Sequence, residues 1–232
     1  MIPGEVITID GPAGSGKSTI SRALARMLGF LYLDTGAMYR SVALAAKRYG
    51  VGKDDREGLS TLCKCIPLSF GTSRLPPVIL LGGEDISAAI RSPEMDLLSS
   101  DISAVPEVRE AMRDLQRKIA QGRDVVAEGR DMATVVFPSA RHKFFLTATP
   151  EMRAQRRYAE RLSRGESTDR DTVVRQLVQR DRQDETRQIA PLRPAREALI
   201  IDTTSMTINE VLDEITSKLR DKGLEILRAA AK

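Results

Sequence analysis

Eight residues among the first twenty constrain this chain more than any other feature. Gly11-Pro12-Ala13-Gly14-Ser15-Gly16-Lys17-Ser18 fits the pattern G-x-x-x-x-G-K-[ST]. The β-branched run Val6-Ile7-Thr8-Ile9 precedes it, and apolar residues at helical spacing follow from Ser18 to Leu28, with Gly29 as a stop signal. A strand, a glycine loop and a helix in that order make a phosphate cradle. Glycines let backbone N–H groups converge on an anion, and the positive end of the helix attracts it. In such a loop Lys17 reaches the β and γ oxygens of ATP and Ser18 ligates Mg²⁺, so Gly11 to Thr19 are the expected ATP-binding residues.

Four more apolar runs, at Phe30 to Leu33, Asp124 to Ala127, Lys143 to Thr147 and Ala198 to Ile201, read as strands. Helical pattern separates them, and strands alternating with helices imply a parallel sheet. The expected architecture is an α/β P-loop fold with a five-stranded parallel core. About ninety residues separate the second and third runs, more than one crossover needs. Within them, Pro67, Gly71, Pro76, Pro77, Gly82 and Gly83 surround the short runs Leu68 to Phe70 and Val78 to Leu81, which predicts a small antiparallel sheet in an inserted subdomain. Pro106 opens a helix that continues through Val108, Met112, Leu115 and Ile119 to Gly122. From Pro150 the pattern is helical, with Glu151 to Leu162 and Thr168 to Ile189 interrupted by Gly165, and Thr168 with Asp171 resembling a capping box. A last helix is expected from Ile208 to roughly Ala231, with Val211, Leu212, Ile215 and Leu219 as its apolar stripe.

Composition narrows the chemistry. A 232-residue chain with 41% hydrophobic content can bury a core, and a formal charge of +4 with pI near 9.2 suits acidic partners. Residues 153 to 196 hold twelve Arg and no Lys. Guanidinium forks grip phosphoryl oxygens, which favours an anion site, but nine acids between residues 151 and 197 suit a solvated ion-paired face equally well. The sole histidine, His142, reads as a strand-entry residue, so carboxylates, Arg, Lys and Mg²⁺ must carry any chemistry. Cys63 and Cys65 are too few for a disulfide framework or a zinc site. Met1 to Asp10 lacks a basic region followed by an apolar stretch, and no apolar run is long enough to span a bilayer, so a cytoplasmic location is expected.

A phosphate cradle alone does not choose among kinases, GTPases and motor ATPases. Guanine selection usually needs Asn-Lys-x-Asp, and the only asparagine here is Asn209. A nucleic-acid-dependent ATPase would use Val125-Val126-Ala127-Glu128 as its acidic strand, with Glu128 activating water. For a kinase, the second strand ends in Asp34-Thr35-Gly36-Ala37-Met38-Tyr39-Arg40 and the third in Glu128-Gly129-Arg130-Asp131, the sheet edge where ligands gather. Arg180, Asp184 and Arg187 are spaced for one helical face beside Val174, Leu177 and Val178, although that spacing by itself favours an intrahelical ion-pair ladder. Arg153, Arg156, Arg157 and Arg161 share a face in the manner of a lid, and mutual repulsion would hold such a lid open until phosphates neutralise it.

From about Val6 to Thr216 the chain resembles bacterial cytidylate kinases, the CMP/dCMP members of the P-loop nucleoside monophosphate kinases. The resemblance rests on Gly11 to Thr19, on Leu33 to Arg40, on Gly129-Arg130-Asp131-Met132-Ala133-Thr134-Val135-Val136-Phe137-Pro138, and on Arg180-Asp181-Arg182-Gln183-Asp184 running to Ala190-Pro191-Leu192. It implies a P-loop core over residues 1–35, 106–152 and 190–232, an acceptor-binding domain with its insertion over 36–105, and a helical lid over 153–189. It also implies ATP and Mg²⁺, CMP and dCMP as substrates, and a monomer with no stable nucleic-acid or membrane partner. Carried over by motif, Arg40, Arg130 and Arg187 hold the acceptor phosphate, Asp184 with Arg180 the ribose, and Ser100, Arg109 and Asp131 the cytosine, with Thr35 nearby. Lys17, Arg130 and Arg187, joined by Arg153 and Arg157 from the lid, would neutralise charge during transfer. Thr35 and Ala133 stand where the commonest family pattern has Ser and Gly.

Overall fold

The computed structural model describes residues 4–71 and 77–224. In chain order the elements are β1 (Val6–Asp10), α1 (Lys17–Leu28), β2 (Leu31–Asp34), α2 (Thr35–Tyr49), α3 (Arg56–Cys65), β3 (Leu68–Gly71), β4 (Val78–Leu81), β5 (Glu84–Asp85), α4 (Pro93–Ile102) and α5 (Pro106–Ala120). They continue with β6 (Val125–Gly129), β7 (His142–Thr147), α6 (Pro150–Ser163), α7 (Arg170–Thr186), β8 (Leu199–Asp202) and α8 (Ile208–Asp221). Five strands form one sheet in the order β2-β6-β1-β7-β8, and β3-β4-β5 form the expected small sheet, with β3–β4 and β4–β5 both antiparallel. β1 pairs in parallel with β6 on one side and with β7 on the other, and β7 in parallel with β8. All five residues of β6 and four of five in β1 are buried, as befits parallel strands covered on both faces.

The described residues group into two compact units, each with its own core. One is Tyr32–Arg123 with Gly4; the other is Glu5–Leu31 with the described residues from Asp124 onward. In the first, Met38, Leu59, Ile86, Ile90, Met95, Ile102 and Met112 are almost fully buried. In the second, Ile7, Ile9, Leu24, Val125, Val126, Leu146, Ile215 and Leu219 fill that role. The helix opened by Pro106 groups with the first unit. Its Val108 and Met112 are buried there, and Glu107 pairs with Arg56 of α3 at 2.6 Å.

Several boundaries differ from the sequence pattern for local reasons. α7 begins one residue later than a Thr168 cap would set, because the Asp169 carboxylate accepts both the Thr172 N–H (2.8 Å) and its hydroxyl (2.6 Å). It ends at Thr186, where Arg187 turns extended, so Arg187 lies just past the helix rather than on its face. The face that α7 buries carries Val173 and Leu177, whereas Val174 and Val178 are exposed. Thr35 to Arg40 forms the first turns of α2, whose N-cap Asp34 accepts the Ala37 N–H at 2.8 Å. α8 starts with a full Thr207/Glu210 capping box and stops at Asp221, with residues 222–224 already outside the helix; the rest of the expected extension, from residue 225, lies outside the described residues, as does Pro76 in the insertion. His142 does open a strand, buried, with Nε2 3.2 Å from Glu5 Oε1, and burial pushes its pKa below the ordinary value.

Candidate active site

The loop between β1 and α1 has a shape only glycine permits at two points. Gly11 has φ +147°, and a Cβ there would stand 2.0 Å from the Leu146 carbonyl oxygen; at Gly14, φ +77°, it would stand 2.8 Å from that of Arg153. The loop is also pinned from outside. Arg153 Nη1 donates to the Ala13 carbonyl (3.2 Å), and the Thr203 hydroxyl, fixed by Arg156 Nη1 (2.9 Å), lies 3.2 Å from the Ser15 carbonyl. The helix it launches is prepared for an anion. α2, α3, α4, α6, α7 and α8 have side-chain caps, but α1 starts at Gly16 with none and has no acid in its first turn. Its first N–H groups therefore fit a phosphate.

Lys17 is buried, and its Nζ donates to the Pro12 carbonyl at 2.6 Å within the same loop. Burial pushes its pKa well down, Arg130 and Arg180 push the same way, and Glu128 and Asp184 oppose them. Phosphate oxygens would relieve that strain on the ammonium. The neighbouring Ser18 hydroxyl is exposed and donates to Glu128 Oε2 at 2.9 Å, a hydroxyl and a carboxylate together where a Mg²⁺ fits. Thr19 is exposed beside it.

Beyond the loop, the same unit strings four expected residues into one network. Arg130 Nε donates to Asp184 Oδ2 at 2.8 Å; Asp184 Oδ1 lies 3.7 Å from Arg187 Nη1, and Arg187 Nη2 lies 3.9 Å from Asp131 Oδ1. Arg180 adds its charge to Asp184. Burial raises the Asp184 pKa, but the guanidiniums of Arg130, Arg180 and Arg187 outweigh it and hold the carboxyl below its ordinary value. Asp184 is thus not confined to a ladder along its own helix: it also bonds Arg130, the residue that follows β6.

The lid arginines are arranged differently from the expectation. Arg153 is buried, with Nε on the Ala148 carbonyl (3.1 Å) and Nη1 also on Asp181 Oδ2 (2.6 Å), so it ties α6 to α7 and to the phosphate loop. Arg157 and Arg164 pair with Glu160, and Arg161 with Glu166. Acids interleaved at helical spacing cancel the expected repulsion, and Ala13, Ala154, Val173, Leu177 and Tyr158 pack as one cluster.

In the other unit, Arg40 lies 3.7 Å from Asp34 and 3.9 Å from Asp96, and the missing side chain of Gly36 leaves room for its guanidinium. Thr35 is buried at the start of α2, and Ser100 is buried on α4. Arg109, buried on α5, donates to the Ser103 carbonyl (3.0 Å) and stacks over the Tyr39 ring at 5.6 Å. Three contributors escape a sequence search: Asp10, Tyr39 and Thr203. Asp10 alone leaves a local signal, a carboxylate at the end of an otherwise apolar strand.

Comparison with known proteins decides the family. The family model for cytidylate kinase matches residues 7–221. The chain belongs to the cytidylate kinase family. A cytidylate kinase of Citrifermentans bemidjiense is 46% identical over 219 residues, 94% of each chain, and one of Syntrophotalea carbinolica 48% identical over 217 residues, 94% of this chain and 92% of that one. A solved structure from Eubacterium ventriosum shares the fold at TM-score 0.50 and 11% identity, over 93% of this chain and 98% of that one. Among the described residues no helix is long and apolar enough to cross a membrane.

Proposed function

We propose that this cytidylate kinase family member transfers the γ-phosphoryl group of ATP to a phosphate oxygen of CMP, and of dCMP, in one in-line displacement. The bond from γ-phosphorus to the bridging oxygen breaks with its electron pair leaving on ADP, and a bond to the acceptor oxygen forms. The observation that carries it is the buried network Arg130–Asp184–Arg187 in the unit that holds the complete phosphate loop. An acceptor phosphate is already anionic at neutral pH, so the site must supply position and positive charge, and no histidine base is required. Mg²⁺ would neutralise β- and γ-phosphate oxygens, with Ser18 as its protein ligand. Lys17 and the first turn of α1 grip the donor phosphates. Arg40, Arg130 and Arg187 are assigned to the acceptor phosphate, Asp184 with Arg180 to the ribose, and Ser100, Arg109 and Asp131 to the base. A coupled assay with CMP, dCMP, UMP and AMP tests the assignment; ATP hydrolysis stimulated by RNA, with no phosphorylated nucleotide formed, would overturn it.

Base choice gives a sharper test. Cytosine presents an amino donor where uracil presents a carbonyl oxygen, and a carboxylate accepts from the first but meets the second lone pair to lone pair. Asp131 should supply about 1–3 kcal/mol of discrimination if it reads that edge. Asp131→Ala is expected to lower kcat/KM steeply for CMP while leaving UMP almost unchanged. A parallel fall for both substrates would mean that the carboxylate serves only to hold Arg187.

The helical segment 153–189 is assigned as a lid that closes over the nucleotides. Since Arg157, Arg161 and Arg164 already pair with acids of the segment, closure must exchange some acid partners for phosphates rather than relieve repulsion. Hydrogen exchange across residues 150–190 is expected to slow when non-hydrolysable ATP and CMP are added together; unchanged exchange there would count against closure.

A further inference from the structure

Asp10 is a carboxylate where the fold calls for an apolar side chain. It ends β1 in the middle of the parallel sheet, opposite Gly129 of β6 and Phe145 of β7, and is 2% exposed. Burying a carboxylate in such a place is costly unless hydrogen bonds compensate. Both oxygens are used: Oδ1 accepts the Met132 N–H at 2.9 Å and Oδ2 the Ala133 N–H at 2.8 Å. Those two amides open a single π-helical turn, Met132–Val136, whose own preceding residue, Asp131, provides no side-chain cap. The cap is therefore supplied from another strand, the one that launches the phosphate loop one residue later.

We infer that Asp10 is a positioning residue for phosphoryl transfer, clamping the turn after Arg130 and Asp131 to the strand that carries the phosphate loop, so that donor-side and acceptor-side groups keep a fixed spacing. The inference rests on the proposed transfer reaction. Two bonds from one rigid group to successive amides fix the orientation of the turn as well as its distance, which a single bond would not. The surrounding charges agree. Burial pushes the Asp10 pKa up to about 6, with the two amides and Lys17 opposing and Asp131 adding to the rise. The carboxylate is thus held ionised at neutral pH largely by the groups it aligns.

Asp10→Asn preserves size but turns one oxygen into an amino group facing an N–H. At saturating ATP and CMP, and at a temperature where circular dichroism shows the variant folded, kcat is expected to fall about a hundredfold, the scale of a misplacement on the order of 1 Å. The Kd for an ATP analogue should stay close to wild type. Wild-type turnover confirming CMP phosphorylation separates this test from failure of the function itself. A folded variant with wild-type kcat would overturn the inference, as would equal losses in kcat and ATP affinity. If Asp10→Asn does not fold, the wild-type protein without nucleotides still provides a test. Its Met132 and Ala133 amide resonances should titrate with a midpoint near 6, and Arg130 Nε–H should follow the same midpoint. An Arg130 signal indifferent to that transition would show that the clamp does not reach the catalytic groups.

Discussion

Replacing Lys17 by Met is expected to abolish turnover while leaving the protein folded. Lys17 is buried, and its Nζ folds back onto the Pro12 carbonyl of its own loop. Met keeps the apolar stem and removes a charge that burial and Arg130 already disfavour, so stability should change little. In the proposed transfer that charge would meet the oxygens on which negative charge develops. Loss of one such preorganised donor costs about 10²–10³ in kcat, and Lys17 is expected to lie at the upper end because it carries a full charge. Thermal melting beside steady-state kinetics separates the two effects. Turnover within a few-fold of wild type would refute the role of the loop, and a collapse in Tm would make the lysine structural.

Asp184→Ala should instead damage both stability and activity. Asp184 is 5% exposed and stands among Arg130, Arg180 and Arg187, bonding the first at 2.8 Å and lying 3.7 Å from the third. Removing one partner from a buried ionic network leaves uncompensated charge, which costs about 3–5 kcal/mol. The same carboxylate sets a pH dependence. Its folded pKa is held below its unfolded value, so its contribution is fully present above about pH 4, the unfolded carboxyl range, and is lost as pH falls through the lowered folded value. Urea denaturation at pH 7 and at progressively lower pH measures both. In the variant the destabilisation should shrink as the pH drops, since the wild type loses the same interaction. A destabilisation independent of pH would assign it to packing and not to charge. Activity should fall in parallel because Arg130 and Arg187 lose the group that holds them together.

The strands of the main sheet, the phosphate loop and the helix after it were legible because each carries a local rule. Apolar runs of strand length, glycine where φ must be positive, and a lysine and hydroxyl at fixed spacing depend on neighbours in the chain alone. The family resemblance added roles for named residues as expectations. Helix ends were less legible. Whether Thr168 or Asp169 caps α7, or whether Arg187 continues the helix, depends on which side chain reaches a free N–H and on where Leu192 N–H finds the Asp184 carbonyl. The packing of α5 against α3 was not legible at all, because the two are some fifty residues apart in sequence, Arg56 to Glu107 being one such pair.

By itself, then, the sequence determined that a phosphate-binding loop sits between a strand and a helix of a parallel α/β sheet, and it marked certain arginines and acids as candidates for the site. Tertiary structure alone decided their pairing. Arg153 looks like a phosphate-seeking lid residue in sequence, but in space it meets Ala13, Ala148 and Asp181 and becomes a tether. Asp10 looks like the incidental end of a strand, yet it caps a turn more than a hundred residues away. A charge has no fixed meaning along a chain; burial and the nearest opposite group define it, and both are properties of the folded molecule.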